Sequence, residues 1–121
     1  MSGADRLRVV GVSHYQDALE AAAGPKRAGG VELRTRFALA AEPENPHDPA
    51  AIAVRLEDAG GERVGYLPRE EAARYGRLME AVAGRGRRPV TDGVVLGGDA
   101  SRDTSFVVWL HIQDPYEALS A

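Results

Sequence analysis

Pro43, Pro46 and Pro49 recur three residues apart inside the segment Glu42 to Val54. Each fixes its own φ near −65° and pushes the preceding residue toward extended backbone. Neither a helix nor a central strand can run through that spacing, so residues 42 to 51 must form a braced loop. Asn45 and Asp48 are of the type that bonds back to nearby amides in turns. The loop carries an imidazole, His47, and a carboxylate, Asp48, between two segments of strand-like alternation. Before it, Val31, Leu33, Thr35, Phe37 and Leu39 fall on one face, with Glu32, Arg34 and Arg36 on the other. After it, Ile52, Val54 and Leu56 alternate again. A stiff loop holds side chains at little further entropic cost, which suits a binding site. It serves a plain chain reversal equally well.

The remaining elements read outward from that loop. Leu7 to Val12 reads as a strand, and Tyr15 to Ala23 as a short helix with Ala18, Leu19 and Ala22 on one face, ended by Gly24-Pro25. Lys26 to Gly30 is a polar loop, expected to be the most mobile segment. Asp58 to Gly61 supplies a hairpin turn, and Arg63 to Leu67 a returning strand. Pro68 suits the first position of a second helix, with Glu70 and Glu71 near its positive end and Ala72, Tyr75, Leu78, Met79 and Val82 facing the core. Gly84 to Arg88 breaks it. Val90 to Leu96 and Ser105 to Ile112 read as closing strands, with Phe106, Val108, Leu110 and Ile112 on one face. The expected fold is mainly β with one or two helices, an α+β arrangement: a small, partly open OB-like barrel of about six mostly antiparallel strands. One domain spans 7–113, followed by a loosely held tail over 114–121.

Composition removes several functions. At 121 residues and a formal charge of −3, the chain is not a bulk polyanion binder, so any nucleic-acid contact needs a local basic face. With no cysteine it has neither disulfides nor thiolate metal sites. His14, His47 and His111 lack ligand spacing, so neither a metal nor a cofactor is expected. Ser13 beside His14 does not make an activated nucleophile by adjacency, so no enzymatic activity is expected. No apolar run reaches the length of a membrane span and no signal peptide is evident, which gives an expectation of a cytoplasmic protein without membrane contact.

Read together, Val9-Val10-Gly11-Val12, Glu42 to Asp48, Ala51-Ile52-Ala53-Val54 and Val64-Gly65-Tyr66-Leu67-Pro68-Arg69 resemble the HIRAN domain family across roughly residues 7 to 113. The resemblance implies an OB-like barrel that binds DNA and captures the 3′-hydroxyl end of a single strand, in DNA repair or replication-fork processing. It implies that the residue at His47 stacks on a terminal base and that Asp48 receives the terminal hydroxyl. It also implies that His14, Tyr66 and Arg69 line the same pocket. The implied partners are single-stranded DNA 3′ ends and a separate helicase or nuclease. The chain departs from the best understood member of that family at Ser13, where that member has an arginine, at His14 and His47, where it has tyrosines, and at Tyr66, where it has a histidine.

Residue by residue, the physical readings stay double. Asp48 can accept a sugar hydroxyl while repelling phosphate, or cap its own turn. Tyr15 joins His14, His47, Asp48, Tyr66 and Arg69 as a candidate DNA contact, yet also reads as packing at a helix start. Arg34, Arg36 and the Arg85 to Arg88 cluster suit either phosphate or solvent. Trp109 reads as packed on a sheet face, and Gly65 as a site of close backbone approach. The competing function is a protein- or peptide-interaction module on the same barrel with no DNA binding.

Overall fold

The computed structural model describes residues 6–58, 61–86 and 89–111. Six strands form one antiparallel sheet in the order β1-β6-β5-β2-β3-β4. They are β1 (Arg6–Arg8), β2 (Val31–Ala41), β3 (Ile52–Leu56), β4 (Arg63–Tyr66), β5 (Val90–Gly97) and β6 (Phe106–His111). Helix α1 (Gln16–Ala23) lies between β1 and β2, and α2 (Arg69–Ala83) between β4 and β5. This is the expected α+β half-barrel of OB type. The turn residues Ala59 and Gly60, the arginines Arg87 and Arg88, Ile112 and the tail over 114–121 lie outside the described residues.

The curl originates in β2. Its first part pairs with β5 from Val31 to Ala38, and its last part with β3 from Phe37 to Ala41. Phe37 and Ala38 therefore bond to both neighbours, and Phe37, fully buried, points into the barrel. Gly93 makes room for it: a Cβ there would stand 2.7 Å from Phe37 Cε1 and 2.6 Å from the Trp109 carbonyl oxygen. Leu39, Val54, Val95, Phe106, Val108 and Leu110 complete the inner layer. Leu19 of α1 is fully buried against it, with Ala18 and Ala22 packed beside it, as their shared helical face requires. Gln16 fastens that helix: its side chain exchanges hydrogen bonds with the backbone N and O of Phe106 at 2.9 and 3.1 Å. Ala72, Tyr75 and Met79 bury one face of α2, with Leu78 and Val82 partly buried.

Three expectations are corrected. The first strand ends at Arg8 rather than Val12, because Val10 leaves β6 and residues 12–14 close a 3-10 turn, with His14 N bonded to Gly11 O and Tyr15 N to Val12 O. Pro68 precedes helix α2 instead of opening it, at φ −54° and ψ 142°, so Arg69 is the first helical residue. The loop at 26–30 is laced rather than loose. Arg27 N bonds to Gly98 O, Ala100 N to Arg27 O, and Lys26 pairs with Asp103 at 3.0 Å.

Closure of the barrel rests on Val10. Its N–H and C=O exchange hydrogen bonds with the backbone of Tyr66, both at 2.9 Å, while Val9 N still bonds to Val108 O on β6. The two sheet edges, β1 and β4, thus meet at one residue pair. Gly65 permits the approach. A Cβ on it would lie 2.6 Å from Val10 O and 2.4 Å from Val9 Cγ1. Among the described residues no helix is long and apolar enough to cross a membrane.

Replacing Gly65 with Ala forces those atoms apart and should cost about 1–3 kcal/mol, as overpacking does. Urea unfolding is the check: a lower midpoint with unchanged slope is expected, and a wild-type midpoint would contradict the crowding.

Candidate nucleic-acid interface

The proline loop is built around Asn45. Its Oδ1 accepts the backbone N–H of His47 at 2.8 Å and of Asp48 at 3.1 Å, and its Nδ2 donates to Glu42 Oε1 at 3.1 Å. Asp48 closes the next turn by accepting Ala50 N at 3.0 Å. With the prolines, these bonds fix the loop's own shape and leave His47 exposed. Asp48 divides its oxygens, Oδ1 capping the turn while Oδ2 faces Arg69 Nε at 3.4 Å. That Arg69 side chain is 80% exposed.

A groove of about 580 Å³ runs between the loop and β4, lined by Glu42 to His47, Arg63 and Tyr66. Its floor is a closed polar set. Arg63 Nη1 donates to Tyr66 Oη at 2.9 Å, Tyr66 donates to Glu42 Oε1 at 2.9 Å, and Arg63 Nη2 pairs with Glu42 Oε2 at 3.2 Å. Arg63 also reaches Tyr15 Oη at 3.5 Å, a long contact. Burial first, and then the bond to Glu42, pushes the Tyr66 phenol up to about 12. The Arg63 guanidinium is raised as well, by the Tyr15 hydroxyl and by the charge of Glu42, against an opposing effect of burial.

Arg63 is a partition. On its other side lies a second groove, about 520 Å³, lined by His14, Tyr15, Asp17, Ala18, Ala21, Arg55 and Glu62 as well as Arg63 itself. The six candidate residues therefore divide into three groups. His47 and Tyr66 share the first groove, His14 and Tyr15 share the second, and Asp48 and Arg69 pair with each other and line neither. His14 meets Tyr15 edge-on, with ring centroids 6.4 Å apart.

The sequence model of the HIRAN domain family matches residues 3–111. The chain belongs to the HIRAN domain family. Two solved structures share its fold at 22% identity. A crystal structure of a protein from Lactobacillus plantarum superposes with a TM-score of 0.51, covering 88% of this chain and 90% of that one. The crystal structure of the HIRAN domain of human HLTF does so with a TM-score of 0.50, covering 93% of this chain and 79% of that one. No curated protein matches.

In this HIRAN domain the residues that sequence reasoning overlooked are Arg63 and Glu42. Arg63 and Tyr66 stand three apart in a strand, which ordinarily places them on opposite faces. The ladder, however, pairs Val54 with Gly65 and Arg55 with Arg63, leaving Val64 as an extra residue. That bulge returns Arg63 to the face of Tyr66. Nothing in the local sequence marks it. Glu42 stood in the recognised motif, but its partner was the missing half. Trp109 lies half-buried on the outer sheet face, and Arg34 and Arg36 are engaged there by Glu32, Glu57 and Asp92. Arg85 is exposed in the turn after α2.

Two outcomes follow from the groove's chemistry. The folded protein keeps the Tyr66 proton above the pH at which an unfolded tyrosine loses it. The resulting stability is complete below about pH 10 and drains away as pH rises toward 12, by at most about 1.4 kcal/mol per pH unit. An absorbance titration at phenolate wavelengths should show a late component that Tyr66→Phe removes; an unchanged curve would contradict the buried hydrogen-bonded phenol. Asn45→Ala removes the acceptor of two backbone donors and should destabilise by about 2 kcal/mol in denaturant unfolding.

Proposed function

We propose that this HIRAN domain is a non-enzymatic DNA-binding module that takes the 3′-hydroxyl end of a single strand, in DNA repair or replication-fork processing beside a separate helicase or nuclease. Family membership supports the DNA-binding part. The observation that carries the finer reading is the chemistry of the first groove and its rim. His47 and Tyr66 offer ring surface to a base. The groove itself holds Glu42 and Glu44, with Arg63 already neutralised by Glu42. Such a lining disfavours an entering phosphate and suits a nucleoside that presents hydroxyl donors.

Asp48 and Arg69 provide the discrimination at the rim. Their contact is long and largely solvated, worth about 0–1 kcal/mol, so it opens at little cost. Arg69 then turns to the last internucleotide phosphate and Asp48 Oδ2 accepts the terminal hydroxyl. A 3′-phosphate would instead meet the carboxylate with like charge. His14 and Tyr15, in the second groove beyond Arg63, receive the next nucleotide.

The test is a titration of labelled single strands that differ only in carrying a 3′-hydroxyl or a 3′-phosphate. The hydroxyl end should bind more tightly. Asp48→Asn, which keeps an acceptor for the Ala50 turn, should erase that preference while changing total binding less. Equal affinities in the wild type, or no binding at moderate salt, would overturn end recognition.

A protein-interaction reading draws on the same two glutamates, which would suit a cationic peptide. A chemical-shift map separates the two, because only DNA recognition places nucleotide-induced shifts on the proline loop.

A further inference from the structure

The outward face of β1, β5 and β6 carries an arrangement that the groove does not use. Trp109, the sole tryptophan, projects from β6 opposite Arg8 on one side and Val94 on the other. The guanidinium of Arg6 sits 4.9 Å from the indole centroid, and that of Arg8 5.9 Å. Both distances fall within the range of cation–π attraction. Val94, although outward-facing, is only 4% exposed; its cross-strand neighbours are Trp109 and Arg34. The indole thus stands on a packed base and holds two flexible side chains against itself.

Charge on this face is unevenly satisfied. Glu32 is taken by Arg34, and Asp92 and Glu57 by Arg36. No carboxylate among the described residues pairs with Arg6 or Arg8. In a chain of formal charge −3, two adjacent guanidinia that share one aromatic anchor and have no carboxylate partner among the described residues make a local anion site.

The site is continuous with the groove. Arg6, Arg8 and Val10 alternate outward along the same stretch, and Val10 is bonded to Tyr66. Arg8 and Val10 are therefore about 7 Å apart along the strand. Val10, at 44%, is the exposed large hydrophobic among the described residues, and it lies between the groove and the arginine pair.

We propose that Arg6, Arg8 and Trp109 form a further subsite that takes the phosphates of a single strand upstream of the nucleotides held in the two grooves, with Val10 as the apolar step toward it. This rests on the end-binding reading and extends it to a footprint of about four nucleotides or more, the range used by OB barrels. The arginines supply the phosphate contacts, and Trp109 fixes their geometry, so the subsite adds affinity without base preference.

The experiment compares oligothymidylates of about three and about twelve nucleotides, each with a free 3′-hydroxyl, on the full chain and on the Arg6→Gln/Arg8→Gln variant. The wild type should bind the longer strand more tightly and change its tryptophan fluorescence with that strand only. The variant should bind the short strand like the wild type and lose the gain from length. Its dependence of log K on log salt should also flatten by about 1.4, or about 0.7 for each lost phosphate. Wild-type affinity and salt slope in the variant would overturn the further subsite while leaving end binding intact. Absence of binding by either strand to the wild type would overturn the end-binding reading and this subsite together, a distinct pattern.

Discussion

The backbone pair between Val10 and Tyr66 is the constraint on which the rest depends. Without it the sheet is a curled ribbon with two free edges. With it, β4 is held at the position where Tyr66 presents its ring to the loop and Gly65 lies flat beneath Val9 and Val10. One residue thus closes the barrel with its backbone and furnishes the groove with its side chain. The missing Cβ of Gly65 is what allows both.

Two ion pairs beside the groove have different characters, and solvent exposure decides between them. Arg63 and Glu42, at 36% and 16% side-chain exposure, are tied further by the Tyr66 hydroxyl. Charged hydrogen bonds of that kind contribute about 1.5–3 kcal/mol and behave as framework. Arg69 and Asp48 have a 3.4 Å contact and an arginine almost in open water. That pair is free to exchange partners. The rigid pair shapes the cavity, whereas the loose pair lines neither groove and is held by little more than a solvated contact.

Most of the scaffold was legible in the sequence because burial has a period. The eleven residues of β2 and the inward faces of β3 and β6 could be read from alternation alone. So could the buried side of α2 from its helical spacing. What escaped was set by non-local pairing. Val10 leaving one neighbour for another, the extra residue Val64 and the lacing of residues 26–30 to the loop at 98–104 depend on partners far away in the chain. Of the candidate site, the proline loop does line a groove, yet His14 and Tyr15 face a different hollow from His47 and Tyr66. The divider, Arg63, reaches the grooves only through the bulge.

Closure at a single residue pair also makes occupancy and folding one linked equilibrium. Tyr66 cannot hold its groove geometry unless its amide is bonded to Val10, so any ligand that requires the formed groove draws the barrel shut by mass action. The amides of Val10 and Tyr66 then become native reporters, their hydrogen exchange slowing with ligand concentration although a ligand would meet only the side chains. Molecules that attach elsewhere on the sheet, without needing the groove, would leave those two amides as they were.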